Sequence, residues 1–436
     1  MQAQRNSMKI GIVSCLFLPE PIVSSHTGAD LAEQLRGSGH RVRVITSFPS
    51  RPNGKLYEGY KSRLWLYDRS FSRYDVLRCF SFVSPASTLL SRFLENISFG
   101  ITSGLAVLFL EKPDVLYGNT WPIFAQGILA LACRLRGIPL VMSVQDVYPE
   151  SLAVQGRMGN RQFWIFRFLR WLDTKAKKNS AALAVVTEQF RRIYIHDRGL
   201  PAENVHLVPN WFDENRLQID PDDHLVRSRH AIPEDAFLVV YGGNLGAASG
   251  VDTVISAFQD LMEQPNIYLL IAGGGSNLLA WRQLARKLGN PRVVFHTPWL
   301  DSETASVLAA ANLFMLPTRG NQSLVSVPSK LMAYMLAGRP ILCAANRESD
   351  IARTIAAADC GWVIPSEDPG VIAQRVLALS QRPSCELSAM GQRGRDYAIK
   401  FMTKSANLSK LVKLILSVAE QEPIPKLRAP AKDNPR

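Results

Sequence analysis

The 436-residue chain is poor in cysteine, has no acidic surplus and carries no long apolar run of membrane-spanning character. Each shortage excludes something. The six cysteines, Cys15, Cys79, Cys133, Cys343, Cys360 and Cys385, are scattered and never form a Cys-x-x-Cys pair. Their spacing writes neither a disulfide framework nor a zinc module, and it predicts reduced thiols, several of them buried, in a cytoplasmic protein. The uncharged stretch Asn96–Leu110 is shorter than the roughly 18 residues a bilayer span needs, so no transmembrane helix is expected. Near the N-terminus "KIGIVSCLFLPEP" is apolar, but no small-residue cleavage site follows it, and it reads as a first strand rather than a signal peptide. With 47% apolar and 20% charged residues and no low-complexity block, what remains is a folded protein long enough for two cores.

The net charge of +13 is unevenly spread. Residues 1–210 hold 26 Lys and Arg against 15 Asp and Glu, while the rest holds 24 against 22. Such asymmetry points to an anionic partner for the first half, either a membrane face or a nucleic acid. The stretch "GRMGNRQFWIFRFLRWLDTKAKK", 156–178, concentrates it, with seven Lys or Arg against one Asp. Trp164 and Trp171 interleave with Arg167, Arg170, Lys175 and Lys177, a mixture suited to the headgroup layer of an anionic membrane. A packed helix with core aromatics and solvated charges would also fit. No RNA or DNA module accompanies the patch, and no nucleic-acid partner is expected.

Both halves alternate short apolar runs with helical patterns of about ten residues or more, which implies parallel strands joined by crossover helices. The first half runs from "KIGIVSCLFL" through "RVRVITSF", "DVLYGN" and "IPLVMSVQD" to "AALAVVT"; the second restarts at "AFLVVYGGNLG" and continues through "IYLLIAGGG", "ETASVLAAANLFMLPT" and "PILCAAN". The expected fold is α/β, two doubly wound, Rossmann-like parallel-sheet domains facing a cleft. Residues 8–210 form the first domain, 211–235 a hinge and linker, and 236–400 the second domain; 401–420 make a helix able to cross back to the first domain, ahead of a disordered Pro-rich tail over 421–436.

Ligands of open α/β sheets sit beyond the carboxyl ends of the strands. There "YGGNLGAASG" places Gly243, Asn244 and Gly246 directly after a strand, and "LLIAGGGSN" does the same with Gly273 and Gly274. Glycines let backbone amides approach phosphate oxygens, although no Gly-x-Gly-x-x-Gly fingerprint with its acidic ribose partner is present. In "VPSKLMAYMLAGRP", Pro328 keeps Val327 out of helical geometry, Ser329 is placed as an N-cap, and Gly338-Arg339-Pro340 ends the helix. Lys330 then stands in the first turn, where it opposes the helix dipole and suggests a negative ligand; an ordinary cap with a solvated lysine is the alternative. In the first half, "QDVYPES" sets Asp146 and Glu150 past an apolar strand, where carboxylates can orient hydroxyls or accept a proton, or simply form a polar loop.

The ordered succession "FLPEP", "LRGSGHRVRVITSFPSRPNGKLYEGY", "QDVYPES", "VHLVPNWFD", "GGNLGAASGVDTVISAF", "IAGGGS", "VPSKLMAYMLAGRPIL" and "CGWVIPSEDP" resembles the retaining, GT-B fold glycosyltransferases of family 4. The likeness spans residues 8 to about 400 and is nearest to the branch that builds bacterial exopolysaccharide, colanic acid, capsule and O-antigen units. The resemblance implies metal-independent transfer, with no cofactor, from a nucleotide diphosphate sugar, most often a UDP-sugar, held by the second domain. The acceptor would be a lipid-linked saccharide on the inner face of the cytoplasmic membrane. The family's diphosphate-binding Arg and Lys fall here on Asn244 and Ser249, and its two glutamates on Val325 and Ala333, so all four side chains are missing. The resemblance leaves Lys330 as the principal donor-binding residue, with Ser329, Pro328, Arg319 and Tyr334 around it and Arg339 either as a further cation or as an exposed helix-end residue that complements the dipole. His26 and Gly28 match the loop that approaches donor and acceptor, with a solvent-exposed loop histidine as the alternative for His26; Asp146 is expected on the acceptor side, and Asn119 stands where the family often has a histidine.

No side chain is a convincing nucleophile, so a front-face transfer is expected, in which the leaving diphosphate helps take the acceptor proton and electrostatic stabilisation of its charge carries catalysis. Two other readings stay open: a sugar-nucleotide-binding subunit without turnover, which the four missing side chains motivate, and a nucleotide-sugar epimerase on the same fold.

Overall fold

The computed structural model describes every residue except 1–6, 21, 52, 87, 120–122, 155–162, 214–218, 221–222, 247–248, 321, 326–329, 366 and 422–436. The chain forms two compact units, the first from Met1–Pro149, Met158–Pro209 and Leu408–Arg436, the second from Glu150–Arg157 and Asn210–Asn407.

The first unit holds β1 (Lys9–Val13), β2 (Arg41–Ser47), β3 (Trp65–Tyr67), β4 (Asp75–Cys79), β5 (Val115–Asn119), β6 (Leu140–Val144), β7 (Ala182–Val185) and β8 (Val205–Leu207). Their order is β3-β4-β2-β1-β5-β6-β7-β8, parallel throughout except for the β3–β4 pair. Strands such as β6 are apolar along nearly their whole length and buried on both faces, which is what a sheet covered by helices requires. The helices are α1 (Val23–Gly37), α2 (Leu89–Phe109), α3 (Ile123–Arg136), then α4 (Glu150–Val154), which groups with the second unit, α5 (Phe163–Lys178) and α6 (Glu188–Arg192). The chain moves one way from β1 through α1 to β2 and the other way from β5 to β7, so right-handed crossovers put α1 on one face and α2, α3 and α5 on the other. There α2 packs on α3, and α3 on α5. A reciprocal cap starts α2: Thr88 Oγ1 accepts from the Ser91 amide at 3.1 Å and Ser91 Oγ from the Thr88 amide at 3.0 Å.

The second unit opens with α7 (Leu225–Arg229) and builds a six-stranded parallel sheet from β9 (Phe237–Gly242), β10 (Ile267–Ala272), β11 (Val293–His296), β12 (Leu313–Pro317), β13 (Ile341–Ala344) and β14 (Gly361–Ile364), in the order β11-β10-β9-β12-β13-β14. Its helices are α8 (Val251–Ala257), α9 (Leu278–Leu288), α10 (Thr304–Ala309), α11 (Gln322–Val325), α12 (Lys330–Leu336), α13 (Asp350–Ala358), α14 (Pro369–Ser380) and α15 (Ser384–Phe401); α16 (Lys404–Glu420) follows, grouped with the first unit from Leu408 onward. Alternation along β9 divides the core: Leu238 and Val240 pack with α10, α12 and α13, while Val239 and Tyr241 pack with α8, α9 and α14.

The segment read as a hinge and linker is packed in its described part. Trp211 is buried, Phe212 pairs with Thr403, and the buried Arg227 guanidinium donates to the carbonyls of Ala310 (2.8 Å), Ala236 (3.0 Å) and Pro233 (3.0 Å) and to Asn312 (2.7 Å). Carbonyl dipoles make a polar run part of the fold. The Pro-rich tail over 421–436 lies outside the described residues except for Gln421. Five of the six cysteines are buried and Cys385 is exposed; burial pushes the thiols of Cys79, Cys133, Cys343 and Cys360 up to about 12.

Candidate active site

In the second unit the strand order reverses between β9 and β12, which pair in parallel through Leu313↔Val239 and Phe314↔Val240. A crevice at such a switch point is where a doubly wound sheet takes its ligand. The glycine turn leaves β9 there. Gly243 sits at φ +148°, and a Cβ on it would stand 2.0 Å from Lys330 Cε; Gly273, at φ +136°, would press a Cβ to 2.0 Å from the Gly243 carbonyl oxygen. The two exits therefore need glycine both for their backbone angles and for their closeness. Leu245 N donates to the Gly274 carbonyl at 2.8 Å, and the Gly246 carbonyl accepts the Ser249 amide at 3.0 Å and its hydroxyl at 2.8 Å.

Helix α12 is tied to this turn by one side chain. Tyr334 is buried, stacks on Phe314 with ring centroids 4.1 Å apart and 4° between planes, and binds the end of β9 with its hydroxyl. That hydroxyl accepts from Gly242 N at 2.9 Å and donates to Gly242 O at 3.1 Å. Lys330 is four residues earlier on the same helix face, so the anchor also sets the lysine. Its ammonium lies 4.7 Å from the centroid of the Tyr241 ring. Loss of hydration lowers the Lys330 pKa to about 8, and no carboxylate among the described residues forms an ion pair with it. At neutral pH it is still a cation, held by a ring face beside a turn of glycines.

The other donor-side residues divide. Arg319 follows β12 at the same switch point but is ion-paired to Asp252 of α8, with both side chains partly exposed. Arg339 donates to the Ala309 carbonyl at 3.4 Å, and burial lowers its pKa. Asn244 is exposed, its carbonyl taking the Tyr241 hydroxyl at 2.8 Å, and Ala333 is half-buried against the core beside Tyr334. Val325 ends α11. Pro328 and Ser329 lie outside the described residues, and α12 spans seven residues beginning at Lys330. The site thus rests on the lysine and the glycine turn, not on a long helix dipole.

In the first unit, Asn119 ends β5 beside Ser143 of β6, with its side-chain oxygen buried and without a hydrogen-bond partner among the described residues. Asp146 comes three residues after Ser143, and loss of hydration raises its carboxyl to about 6. His26 is half-buried in the first turn of α1, and Gly28 is buried with space for a Cβ only 3.3 Å from Phe17. Glu150 begins α4 and so falls in a different unit from Asp146.

On α5, Trp164 and Trp171 are 70% and 55% exposed, and Arg167 and Lys175 are exposed as well. Arg170 is half-buried and donates to the Asp197 carbonyl at 3.2 Å. Lys177 corrects the expected membrane contact: it is 2% exposed and salt-bridged to Asp173 at 2.6 Å, and its ammonium also donates to Gln126. A buried, paired ammonium offers nothing to a headgroup.

The sequence reading missed Tyr241, which carries the lysine, and Trp299, whose ring would meet a Cβ on Gly242 at 3.0 Å. Tyr241 carried a legible signal, as the last large side chain before the glycine turn; Trp299 carried none. Among the described residues no three His, Cys, Asp or Glu side chains gather to hold a metal ion, and no helix is long and apolar enough to cross a membrane.

The chain matches the family model "Glycosyl transferase 4-like domain" over residues 25–211 and "Glycosyl transferases group 1" over 222–397. It is similar to WcaI of Escherichia coli, named for colanic acid biosynthesis glycosyl transfer, with 25% identity over 76% of this chain and 82% of the relative. The solved sucrose-phosphate synthase of Thermosynechococcus elongatus has the same fold, with a TM-score of 0.71 and 17% identity over 94% of this chain and 99% of that one. So has HepE of Anabaena in complex with UDP-glucose, with a TM-score of 0.67 and 15% identity over 94% of this chain and 100% of that one. With two parallel α/β units matched in turn by these models, the chain belongs to the GT-B fold glycosyltransferases that join a glycosyl transferase 4-like domain to a group 1 domain, and it is a transferase.

Proposed function

We propose that the second unit binds a nucleoside diphosphate sugar, a UDP-sugar first among them, with its diphosphate against Lys330 and the glycine turn after β9. The observation that carries this is a desolvated lysine with no carboxylate partner among the described residues, positioned by Tyr334 beside backbone that favours glycine. An anion would restore what the lysine lost on leaving water. The UDP-glucose complex of HepE supports the choice of nucleotide.

Transfer proceeds with retention and without a metal or cofactor, the lysine charge and backbone amides stabilising the leaving diphosphate. The acceptor is a saccharide on a lipid carrier, bound by the first unit, where Asp146 orients or deprotonates the accepting hydroxyl and Asn119 hydrogen-bonds the sugar. WcaI supports a product in bacterial surface polysaccharide. The protein works at the inner face of the cytoplasmic membrane.

Calorimetric titration with UDP, GDP and ADP, with and without EDTA, tests the donor. UDP binding that survives EDTA and weakens tenfold or more in Lys330→Ala, but not in Asn119→Ala, is expected, since a hydrogen bond to a charged group contributes about 1.5–3 kcal/mol. Equal dissociation constants for the two variants would sink the assignment.

A further inference from the structure

The most unusual surface of the molecule lies in the first unit, on the outer side of the helices that cover one face of its sheet. Leu90, Leu94, Ile101 and Phe109 of α2 are 67%, 38%, 48% and 74% exposed and recur along one side of the helix. With 21 residues, α2 carries that stripe over roughly 31 Å. No charged residue occurs between Glu95 and Glu111. On α3, which packs beside it, Leu131 and Leu135 are 55% and 64% exposed; on α5, next in line, Phe168 is 50% exposed and stacks at 6.1 Å on the exposed Trp171. A single exposed leucine needs no explanation, but three neighbouring helices with apolar outer sides do.

Charge selects the occupant. These three helices carry eight Lys and Arg but only Glu95 and Asp173 as carboxylates. Glu95 is ion-paired to Arg92 at 2.7 Å and also to Arg51; Asp173 is buried with Lys177. Glu111, just past α2, is held by Lys9, Arg41 and Arg43. Arg134, Arg167, Lys175 and Lys178 are exposed. A second copy of this chain seated on the face would bring like charges together, whereas an anionic bilayer would answer both the apolar stripes and the cations.

We propose that α2, α3 and α5 together form a membrane seat that lies in the headgroup layer of an anionic bilayer, with α2 supplying most of the inserted apolar surface and the cations of α3 and α5 its electrostatic hold. Tryptophans favour that depth, and long cationic side chains reach from an apolar surface to phosphates. The seat deepens the reading of a lipid-linked acceptor and takes its purpose from it, but it shares no residue with the donor site.

Sedimentation of the full chain with phosphatidylcholine vesicles, with and without phosphatidylglycerol, tests it. The expected result is binding to the anionic vesicles that weakens with salt. The variant Leu90→Ser/Ile101→Ser/Phe109→Ser should reduce partitioning tenfold or more, and Arg167→Gln/Lys175→Gln/Lys178→Gln by about fivefold for each cation removed. Both variants should keep the UDP-induced rise in melting temperature, which shows that they fold. Equal binding to neutral vesicles, or binding untouched by either variant, would overturn the proposal. So would lipid-free self-association abolished by the α2 variant, which would give the face to a second copy. Vesicle binding without any response to UDP would sink the donor reading alone.

Discussion

The two units share one doubly wound plan and treat one desolvated lysine each in opposite ways. In the first, Arg78 is fully buried and meets Asp68 at 3.0 Å, while Lys177 and Arg198 both converge on Asp173, at 2.6 and 3.7 Å. In the second, Lys330 gives up much of its hydration for a ring face and a glycine turn, without a carboxylate among the described residues. A structural cation is neutralised by the fold; one that awaits an anion is left open, at a cost to stability that a ligand can return. The contrast makes Lys177 structural and is what the proposed donor role of Lys330 requires, although both are lysines on crossover helices between parallel strands, one at the end of its helix and one at the start.

Breaking the structural side should have the largest effect. Asp173 also accepts the Tyr194 hydroxyl at 2.9 Å, so Asp173→Ala leaves Lys177 and Arg198 buried without their counter-charge. We expect a loss of about 3–5 kcal/mol in unfolding free energy, measured by urea denaturation. A loss below 1 kcal/mol would show that the first unit tolerates open cations as the second does, and the comparison would fail.

Asp146 sharpens the contrast from the other sign. Its carboxyl is raised to about 6, so below that pH it holds a proton and cannot accept another. The transfer rate should fall as pH drops through about 6, and Asp146→Asn should lose roughly a hundredfold in rate along with that acidic limb. The raised value also means that folding favours the protonated form, so stability from this group is present below its unfolded value of 3.8 and lost as pH rises through about 6. Asp146→Asn should therefore be the more stable protein above neutrality. An unchanged pH profile would remove Asp146 from the chemistry.

Much of this was legible in the sequence, because strands buried on both faces are written as short apolar runs and their crossovers as helices. The three-residue β3 was not, being too short and half-exposed to carry a period. Lys177 was misread by composition although periodicity held the answer: Leu169, Asp173 and Ala176 are buried and mark the inward side of α5, while Trp164, Phe168, Trp171 and Lys175 mark the outward one. The glycine exits were legible because few residues but glycine occupy such angles. That Lys330 would lie on Tyr241, 89 positions away, depended on the β9–β12 reversal, which strand patterns alone do not order.

For Lys330 the sign of the pH effect separates binding from folding. Its pKa falls from 10.5 to about 8, so UDP affinity should drop about tenfold between pH 7 and 9 as the cation is lost. The contribution of Lys330 to the stability of the ligand-free protein should move the other way, since the unfolded chain binds more protons between pH 8 and 10.5 and stability rises there. Lys330→Met should remove both dependences. Affinity that stayed flat to pH 9 in the parent protein would mean that the diphosphate lies elsewhere.

The smallest effect tests how the lysine is placed. Tyr334→Phe keeps the ring stacked on Phe314 and removes only the hydroxyl that bridges both backbone groups of Gly242. Stability should fall by about 1 kcal/mol, the usual contribution of a hydrogen bond, with a further penalty if water fails to reach the stranded groups. If the hydroxyl sets the position of Lys330 through the helix, donor KM should rise several-fold with kcat little changed, and the pH dependence of UDP affinity should persist because the cation itself remains. An identical loss of stability with unaltered KM would reduce Tyr334 to packing. Lys330 would then owe its place to the glycine turn alone.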